Sequence, residues 1–362
     1  MKILQLLPGI SRGDGVSLSA FQIDQVLKGM KIDTMIYAEN IGNHIPEYQV
    51  KPFHLFPRDE DDYIVIFHVC GGSPLNDWVC EQKFRVIMVY HNITPPEFFH
   101  GYNARTRKSC ERGLKQVEKL SSRIDYCLAV SEFNKSDLRR MGYKCKIDVM
   151  PTILPFEDYN REPDFKFMKL FQDDYVNIAF VGRICPHKKQ EDIIQSFYYY
   201  KKYINPKSRL FIIGSVSEKK YFLKLKKYIK KLKLDDVFFG GHMSFEKILA
   251  CYRLADIFLC MSEHEGFCLP LLEAMHFRVP IIAYAAAAVP ETLNGTGVLM
   301  KEKNPKVIAE VIELVIKNQE VKEQMVQEQS ERLKDFQYDA LATKFELYIR
   351  QYLNENERRK DA

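Results

Sequence analysis

Short apolar, β-branched runs alternate with helical stretches along almost the whole chain, and this rhythm constrains the fold more than any other feature. Ile3–Leu7, Thr34–Ala38, Ile64–Val69, Val86–Tyr90, Cys127–Val130 and Ile147–Met150 form a first series, with polar helical segments between them, the first from about Ser17. Runs without polar alternation suit strands buried on both faces, and helices between them supply the crossovers of a parallel sheet. The rhythm breaks over Thr152 to Asp174, where Pro155 and Pro163 stand among mixed charged and aromatic residues. It resumes with Ile178–Val181, Leu210–Ile213, Val237–Phe239, Ile257–Cys260, Ile281–Tyr284 and Val298–Met300. The expected architecture is α/β: two doubly wound, Rossmann-like domains, residues 1–155 and 175–337, joined by a linker at 156–174 and facing across a cleft. The tail from Pro305 to Leu353 reads as helical, and its last piece, about 338–355, is expected to pack back on the first domain. Ligands in such sheets sit at the carboxyl ends of strands, so the loops there carry the functional argument.

Composition narrows the function classes. The 362 residues are 46% hydrophobic and 28% charged, with a net charge of +5 that suits anionic small molecules or an anionic membrane surface and is too weak for nucleic acid. Nine cysteines without CxxC pairing or Cys/His clustering argue for a reducing compartment and against a disulfide framework or structural zinc. No signal peptide is legible, and the longest apolar run, Val279 to Val289, is too short to span a bilayer. The expectation is a cytoplasmic protein, at most touching the inner face of the membrane.

The richest loop is Ser262-Glu263-His264-Glu265-Gly266-Phe267-Cys268-Leu269-Pro270-Leu271-Leu272-Glu273, between a strand-like and a helix-like run. Pro270 suits the first turn of a helix, and the amides of Gly266, Phe267, Cys268 and Leu269 converge at its positive end, a seat for an anion. Seven residues separate Glu265 from Glu273. Taken singly, Glu273 is a first-turn carboxylate stabilised by the helix dipole by about 0.3–1 kcal/mol, and Glu265 is a surface acid. Together with the anion seat they suggest a ligand carrying phosphate and hydroxyls. Val181-Gly182-Arg183-Ile184-Cys185-Pro186-His187-Lys188 follows another strand of the same domain, and Arg183 and Lys188 there are placed to clamp a diphosphate.

In the first domain, Pro8-Gly9-Ile10-Ser11-Arg12-Gly13-Asp14-Gly15 opens a helix. As a dinucleotide fingerprint it is weak, because Leu18 stands at the third glycine position; with Glu39 as the ribose acid it leaves an NAD-dependent dehydrogenase as a low alternative. His91 and Asn92 stand at a strand end before Pro95-Pro96, where structural and catalytic readings of the histidine weigh evenly. His68 before Gly71-Gly72 and His242 after Gly240-Gly241 are weaker candidates. Asp59-Glu60-Asp61-Asp62 precedes a strand and reads as a solvated turn, not a metal site. The basic amphipathic run Lys219 to Lys231 is read first as an ordinary surface helix and second as a membrane-surface helix.

Gly182-Arg183…Lys188, the strand Ile257–Met261 and Ser262…Glu265-Gly266-Phe267…Glu273-Ala274 resemble the sugar-nucleotide site of retaining glycosyltransferases of family 4, two-domain enzymes of the GT-B architecture. The resemblance runs in order through Gly15, His91, Ser131 and Ala286 to Glu291, and departs after Pro151, where Thr152-Ile153-Leu154 replaces a common Asn-Gly. It implies that Arg183 and Lys188 hold the donor diphosphate, that Glu273 takes the ribose hydroxyls, and that Glu265 and the amides of Gly266, Phe267, Cys268 and Leu269 surround the sugar and phosphates. It further implies that His91 reaches the donor sugar from the opposite domain and that Gly15 keeps the first loop close to the phosphates. The implied activity is metal-independent, retaining transfer of a hexose from a nucleoside-diphosphate sugar to a glycan or lipid-linked acceptor, as in bacterial surface polysaccharide or lipopolysaccharide assembly. No cofactor is expected. A sugar-nucleotide epimerase or hydrolase of the same fold is the enzyme alternative, and a non-catalytic scaffold using the basic helix is the alternative outside catalysis.

Overall fold

In the computed structural model of the chain, residues 2–11, 13–43, 45–46, 49–58 and 63–360 are described, with side chains as far as 355. The run Asp59-Glu60-Asp61-Asp62 lies outside the described residues, as does Arg12. The chain forms two compact units. The first comprises 1–96, 105–155 and 335–362; the second comprises 97–104 and 156–334.

The first unit carries β1 (Lys2–Ile10), β2 (Asp33–Ile41), β3 (Val50–Pro52), β4 (Tyr63–Val69), β5 (Arg85–Tyr90), β6 (Tyr126–Ala129) and β7 (Lys146–Val149). They pair in parallel in the order β3-β2-β1-β4-β5-β6-β7. Side chains alternate across the pleat. Leu4, Leu6, Val65 and Phe67 therefore join the core on one face, while Leu7 meets Ala20 of the helix Gly15–Gly29 on the other. Sequence reading missed β3. It is three residues long and ends in a proline, which lacks the N–H a central strand needs and is tolerated at this edge. The C-terminal helix Tyr338–Lys360 belongs to this unit, where Tyr352 stacks on Tyr126 at 5.5 Å.

The second unit carries β8 (Val176–Val181), β9 (Ser208–Ile213), β10 (Val237–Gly241), β11 (Ile257–Cys260), β12 (Ile281–Tyr284) and β13 (Val298–Met300), all parallel, in the order β10-β9-β8-β11-β12-β13. From β8 the chain winds outward to β9 and β10, then returns to lay β11 on the other side of β8. That reversal is a topological switch point, where open α/β sheets leave a crevice for ligands.

The expected linker at 156–174 is corrected. It holds the short helices Phe156–Tyr159 and Phe165–Lys169 and is folded into the second unit. Phe167 and Phe171 pack on Phe238, and Phe171 on Phe211, so aromatic burial holds a stretch that has no helical period to announce it. The lysine-rich run forms the helix Lys219–Leu232, which buries Tyr221 and Leu225 and leaves Lys219, Lys220, Lys226, Lys227 and Lys230 exposed.

Candidate functional site

The two informative loops of the second unit follow β8 and β11 and therefore flank its switch point. Their approach depends on small residues. Gly214, directly after β9, has φ +144°, and a Cβ there would lie 2.1 Å from the carbonyl oxygen of Gly182. Only glycine lets the end of β9 abut the Gly182 turn in this way. Beyond Gly182 the backbone passes through the 3₁₀ turn Pro186–Lys188 to Lys189 at φ +52°, then enters the helix Gln190–Tyr203.

The loops are joined at three points. The amide of Glu263 donates to the carbonyl of His187 at 2.8 Å, and Lys189 Nζ lies 3.0 Å from Glu263. Between them Lys188 Nζ donates to both oxygens of Glu265, at 2.5 and 2.6 Å. The two side chains are 13% and 7% exposed, so the pair is nearly closed to water. Burial alone would lower the Lys188 pKa, but the Glu265 carboxylate outweighs it and holds the ammonium above its usual value. Arg183, by contrast, is exposed, with no ion-pair partner among the described residues. The loop after β8 thus carries Lys188 and Lys189, each in an ion pair, and Arg183, which has none among the described residues.

After Glu265 the chain runs through Gly266 and Phe267 to Cys268, which precedes the helix Leu269–His276 at φ +74°. A cysteine in the left-handed region is sterically disfavoured, and such strain gathers at ligand sites. Thr292 Oγ1 donates to the carbonyl of Phe267 at 2.5 Å and fixes the loop from behind. The amides of this turn lie at the positive end of the helix, as the Pro270 pattern predicts.

Glu273 departs from its expected position. The helix begins at Leu269, so Glu273 lies in the second turn, beyond the reach of the terminal dipole. Its oxygens instead accept hydrogen bonds from Tyr159 at 2.8 Å and Tyr252 at 2.5 Å. Burial raises its pKa against the opposing pull of those two hydroxyls. Each carboxylate oxygen keeps a lone pair for a further donor such as a ligand hydroxyl. Both tyrosines escaped sequence reasoning: Tyr159 lay in the supposed linker, and Tyr252 reads as a helix-core residue. Phe98 was missed as well. It belongs to the segment 97–104 of the second unit, with its ring 6.1 Å from His187 and 6.3 Å from His264.

The fold also gathers what spacing kept apart. Cys260 Sγ, Cys268 Sγ and a Glu265 oxygen lie within 4.8 Å of one another, a donor set able to hold a soft cation that the cysteine spacing does not suggest. Lys188 already engages both oxygens of that carboxylate.

In the first unit, His91 follows β5 and is held by a chain of side chains. Gln5 Nε2 donates to the carbonyl of Ala20 at 3.0 Å, which turns Gln5 Oε1 toward His68 Nε2 at 2.9 Å; His68 Nδ1 in turn lies 2.9 Å from His91 Nε2. An amide oxygen only accepts, so His68 carries its proton on Nε2 and accepts at Nδ1. His91 therefore donates through Nε2 and presents Nδ1 as a lone-pair acceptor. Burial lowers the pKa of His91 to about 4, against a raising effect of Asp14, and lowers that of His68 well below the usual range. Both rings are neutral near pH 7. His68, a lesser candidate in the sequence, is the residue that orients His91.

Gly15 is the first residue of its helix. Asp14 caps that helix, its Oδ1 accepting from the amides of Val16 and Ser17 at 3.0 and 2.9 Å. A carboxylate thus takes the amides that a dinucleotide pyrophosphate would use, and Glu39 accepts from Ser73 Oγ at 2.6 Å. Both facts weigh against the dehydrogenase alternative. His242 is exposed on the loop after β10, and Ser131 caps the helix Glu132–Arg140 by accepting from the Asn134 amide at 3.1 Å.

Residues 161–332 match the family described as Glycosyl transferases group 1. That match lies within the second unit, which is similar to members of this family. It is 30% identical over 173 residues to the capsular polysaccharide biosynthesis glycosyltransferase CapM of Staphylococcus aureus, covering 46% of this chain and 43% of CapM. The chain thus spans less than half the length of that curated relative. Sucrose-phosphate synthase from Thermosynechococcus elongatus superposes with a TM-score of 0.77 at 16% identity, over 98% of this chain and 100% of that one. Anabaena HepE in complex with UDP-glucose gives 0.76 at 15% identity, over 97% and 100%. At these identities the likeness establishes the fold: two doubly wound Rossmann-like units of the GT-B type. No helix among the described residues is long and apolar enough to cross a membrane.

Proposed function

We propose that the protein transfers a hexose, with retention of anomeric configuration, from a nucleoside-diphosphate sugar to a glycan or lipid-linked acceptor in bacterial surface polysaccharide assembly. The observation that carries this reading is the Lys188–Glu265 pair beside the free guanidinium of Arg183, at the switch point of the second unit. Two cations suit the charge of a diphosphate. Arg183 is available at once, and Lys188 becomes available as the ligand competes with Glu265 for its ammonium. The helix end at Gly266 to Leu269 adds amide donors, and Glu273, steadied by Tyr159 and Tyr252, offers acceptors to a ribose.

The chemistry follows from charge. Departure of a nucleoside diphosphate from the anomeric carbon develops negative charge on the leaving phosphate, and prepositioned cations and amides stabilise it without reorganising. Glu265 lies on the sugar side in this reading, and the acceptor's proton passes to the leaving phosphate. This requires neither a carboxylate nucleophile nor a metal. Neutral His91, with Nδ1 as acceptor, suits a sugar hydroxyl. CapM, named for capsular polysaccharide biosynthesis, supports the polysaccharide setting by likeness, and the UDP-glucose complex of HepE supports the donor class.

A thermal-shift panel of UDP-, GDP-, ADP- and TDP-sugars identifies the donor, and release of nucleoside diphosphate with and without acceptor then tests the reaction. Release that ignores acceptor sinks the transferase reading in favour of hydrolysis, and an inverted product anomer sinks retention. A lipid-linked acceptor would bring the exposed lysines of Lys219–Leu232 against an anionic membrane. Co-flotation with anionic but not neutral vesicles, lost on reversing Lys226, Lys227 and Lys230 to Glu, is the expected result; flotation unchanged by the reversal removes this helix as the contact.

A further inference from the structure

Two cysteines of the first unit, outside every residue assigned to sugar-nucleotide binding, have the arrangement of a reactive thiol and its resolving partner. Cys127 is buried in β6, Cys145 is half-buried immediately before β7, and their sulfurs are 3.6 Å apart. A disulfide of about 2.05 Å requires the two sulfurs to approach by about 1.5 Å. Cys145 also lines a cavity of about 320 Å³ together with Asp125, Tyr126, Lys144, Lys146 and Glu355, so a small reagent can reach this residue. Lys144 and Lys146 are exposed, and Arg139 Nη1 donates to the carbonyls of Tyr143 and Cys145 at 2.7 and 2.9 Å. Asp125 and Glu355 line the same cavity and Lys146 pairs with Asp148 at 3.2 Å, so the charges around Cys145 are mixed, with Arg139 the cation that acts on its thiol.

We propose that Cys145 is a peroxide-reactive thiol and that Cys127 resolves its oxidised form into a disulfide joining β6 to the start of β7. The Cys145 thiolate attacks one peroxide oxygen; the S–O bond forms as the O–O bond breaks, and the departing hydroxide leaves as water after taking a proton. Cys127 then loses its proton, and its sulfur attacks the sulfur of the sulfenic acid. The S–S bond forms, the S–O bond breaks, and a second water departs. The two cysteines together lose two electrons and hydrogen peroxide gains them. The division of roles follows from surroundings. The hydrogen bond from Cys127 and the charge of Arg139 hold the Cys145 thiol below its usual pKa against the effect of burial, whereas burial holds Cys127 well above it. Cys260 and Cys268, the other neighbouring thiols, are both buried.

The test uses the full chain. The reduced protein is exposed to hydrogen peroxide, alkylated without reductant, and its peptides are mapped. The expected product links Cys127 to Cys145, has lost the mass of two hydrogens, has two fewer alkylated cysteines, and returns to the starting mass on treatment with dithiothreitol. Its melting temperature should exceed that of the reduced chain, because the link closes a loop between positions 18 apart. Cys145→Ser should abolish the linkage while leaving unchanged the thermal shifts given by the panel of UDP-, GDP-, ADP- and TDP-sugars, and Cys127→Ser should stop at a Cys145 sulfenic acid that dimedone traps. A first disulfide at any other pair overturns the proposal, as does oxidation of Cys145 no faster than the average of the remaining thiols. If Cys127→Ser does not fold, mapping of the wild type and of Cys145→Ser decides it alone.

Discussion

Replacing Lys188 with Met strips the ammonium from a carboxylate that is 7% exposed. Removing one partner of a buried ion pair costs about 3–5 kcal/mol, because the remaining charge keeps its desolvation penalty and loses its compensation. Lys188 itself is 13% exposed, so some solvent screening already weakens the pair, and the lower end, about 3 kcal/mol, is the appropriate magnitude. Lys188→Met/Glu265→Gln removes both charges and should recover most of that loss. The sign of the pH dependence is set by Lys188. Its folded-state pKa is raised, so its contribution is fully present below the unfolded lysine value of about 10.4 and is lost only as pH rises beyond it. The deficit of the single variant should therefore be flat between about pH 6 and 9. Urea titration read by hydrogen exchange at the amides of β8 and β11 reports the unfolding of this unit in particular. A deficit under about 1 kcal/mol, or a double variant no more stable than the single, would refute the claim that the pair is closed to solvent. Sugar transfer should be lost in both variants, which separates the pair's part in stability from its part in chemistry.

Arg183→Ala removes an exposed side chain, so stability should stay within about 0.5 kcal/mol of wild type, while nucleoside-diphosphate affinity, measured calorimetrically, falls at least tenfold, the loss of a charge-assisted contact of about 1.5–3 kcal/mol. Tyr252→Phe deprives the Glu273 carboxylate of one of its two donors and should cost about 1–3 kcal/mol. The raised pKa of Glu273 means that stability falls as pH rises above the unfolded value of about 4.3, and loss of the hydroxyl should extend that fall to higher pH in equilibrium denaturation. His91, held neutral to about pH 4, should show the Nε2–H tautomer by nitrogen NMR and no titration between pH 8 and 5. Its depressed pKa adds stability above the unfolded value of about 6.5, lost as pH falls toward 4; His68→Phe should release the tautomer. Gly214→Ala drives a Cβ to 2.1 Å from the Gly182 carbonyl, and a loss under about 1 kcal/mol would show that β9 need not end so close to β8.

Strand order was not legible in the sequence, yet the strands themselves were, because burial on both faces writes itself as apolar runs. Val86–Tyr90 and Ile257–Cys260 are buried throughout. The edge strand Val50–Pro52 has one neighbour and needs no such run, so it left no mark. The site divides in the same way. Arg183, Lys188 and Glu265 were legible as candidates because each stands on a loop that follows a strand, and Glu273 because it stands at a fixed spacing from Glu265 on the helix after that loop. Tyr159, Tyr252 and Phe98 were not, because their importance comes from partners 114, 21 and 89 positions away, Glu273 for the tyrosines and His187 for Phe98.

The structure sharpens the difference between the two glutamates. Glu273 is held by neutral donors, so a ligand hydroxyl joins an arrangement already complete and displaces nothing. Glu265 is held by a cation, so a diphosphate that recruits Lys188 must compete with a carboxylate for it. At 2.5 Å the pair is in contact, and a ligand bearing two phosphates beside Arg183 offers more negative charge to the ammonium than one carboxylate does. Glu265 then loses its partner while still buried, and the least costly new partner is a hydroxyl donor on the ligand itself. On the proposed function, inorganic diphosphate, which frees Lys188 but leaves Glu265 unpaired, should bind more weakly than a nucleoside-diphosphate sugar, and Glu265→Gln should narrow that difference in a calorimetric comparison of the two ligands. Equal narrowing in Glu273→Gln would mean that the two carboxylates share one role.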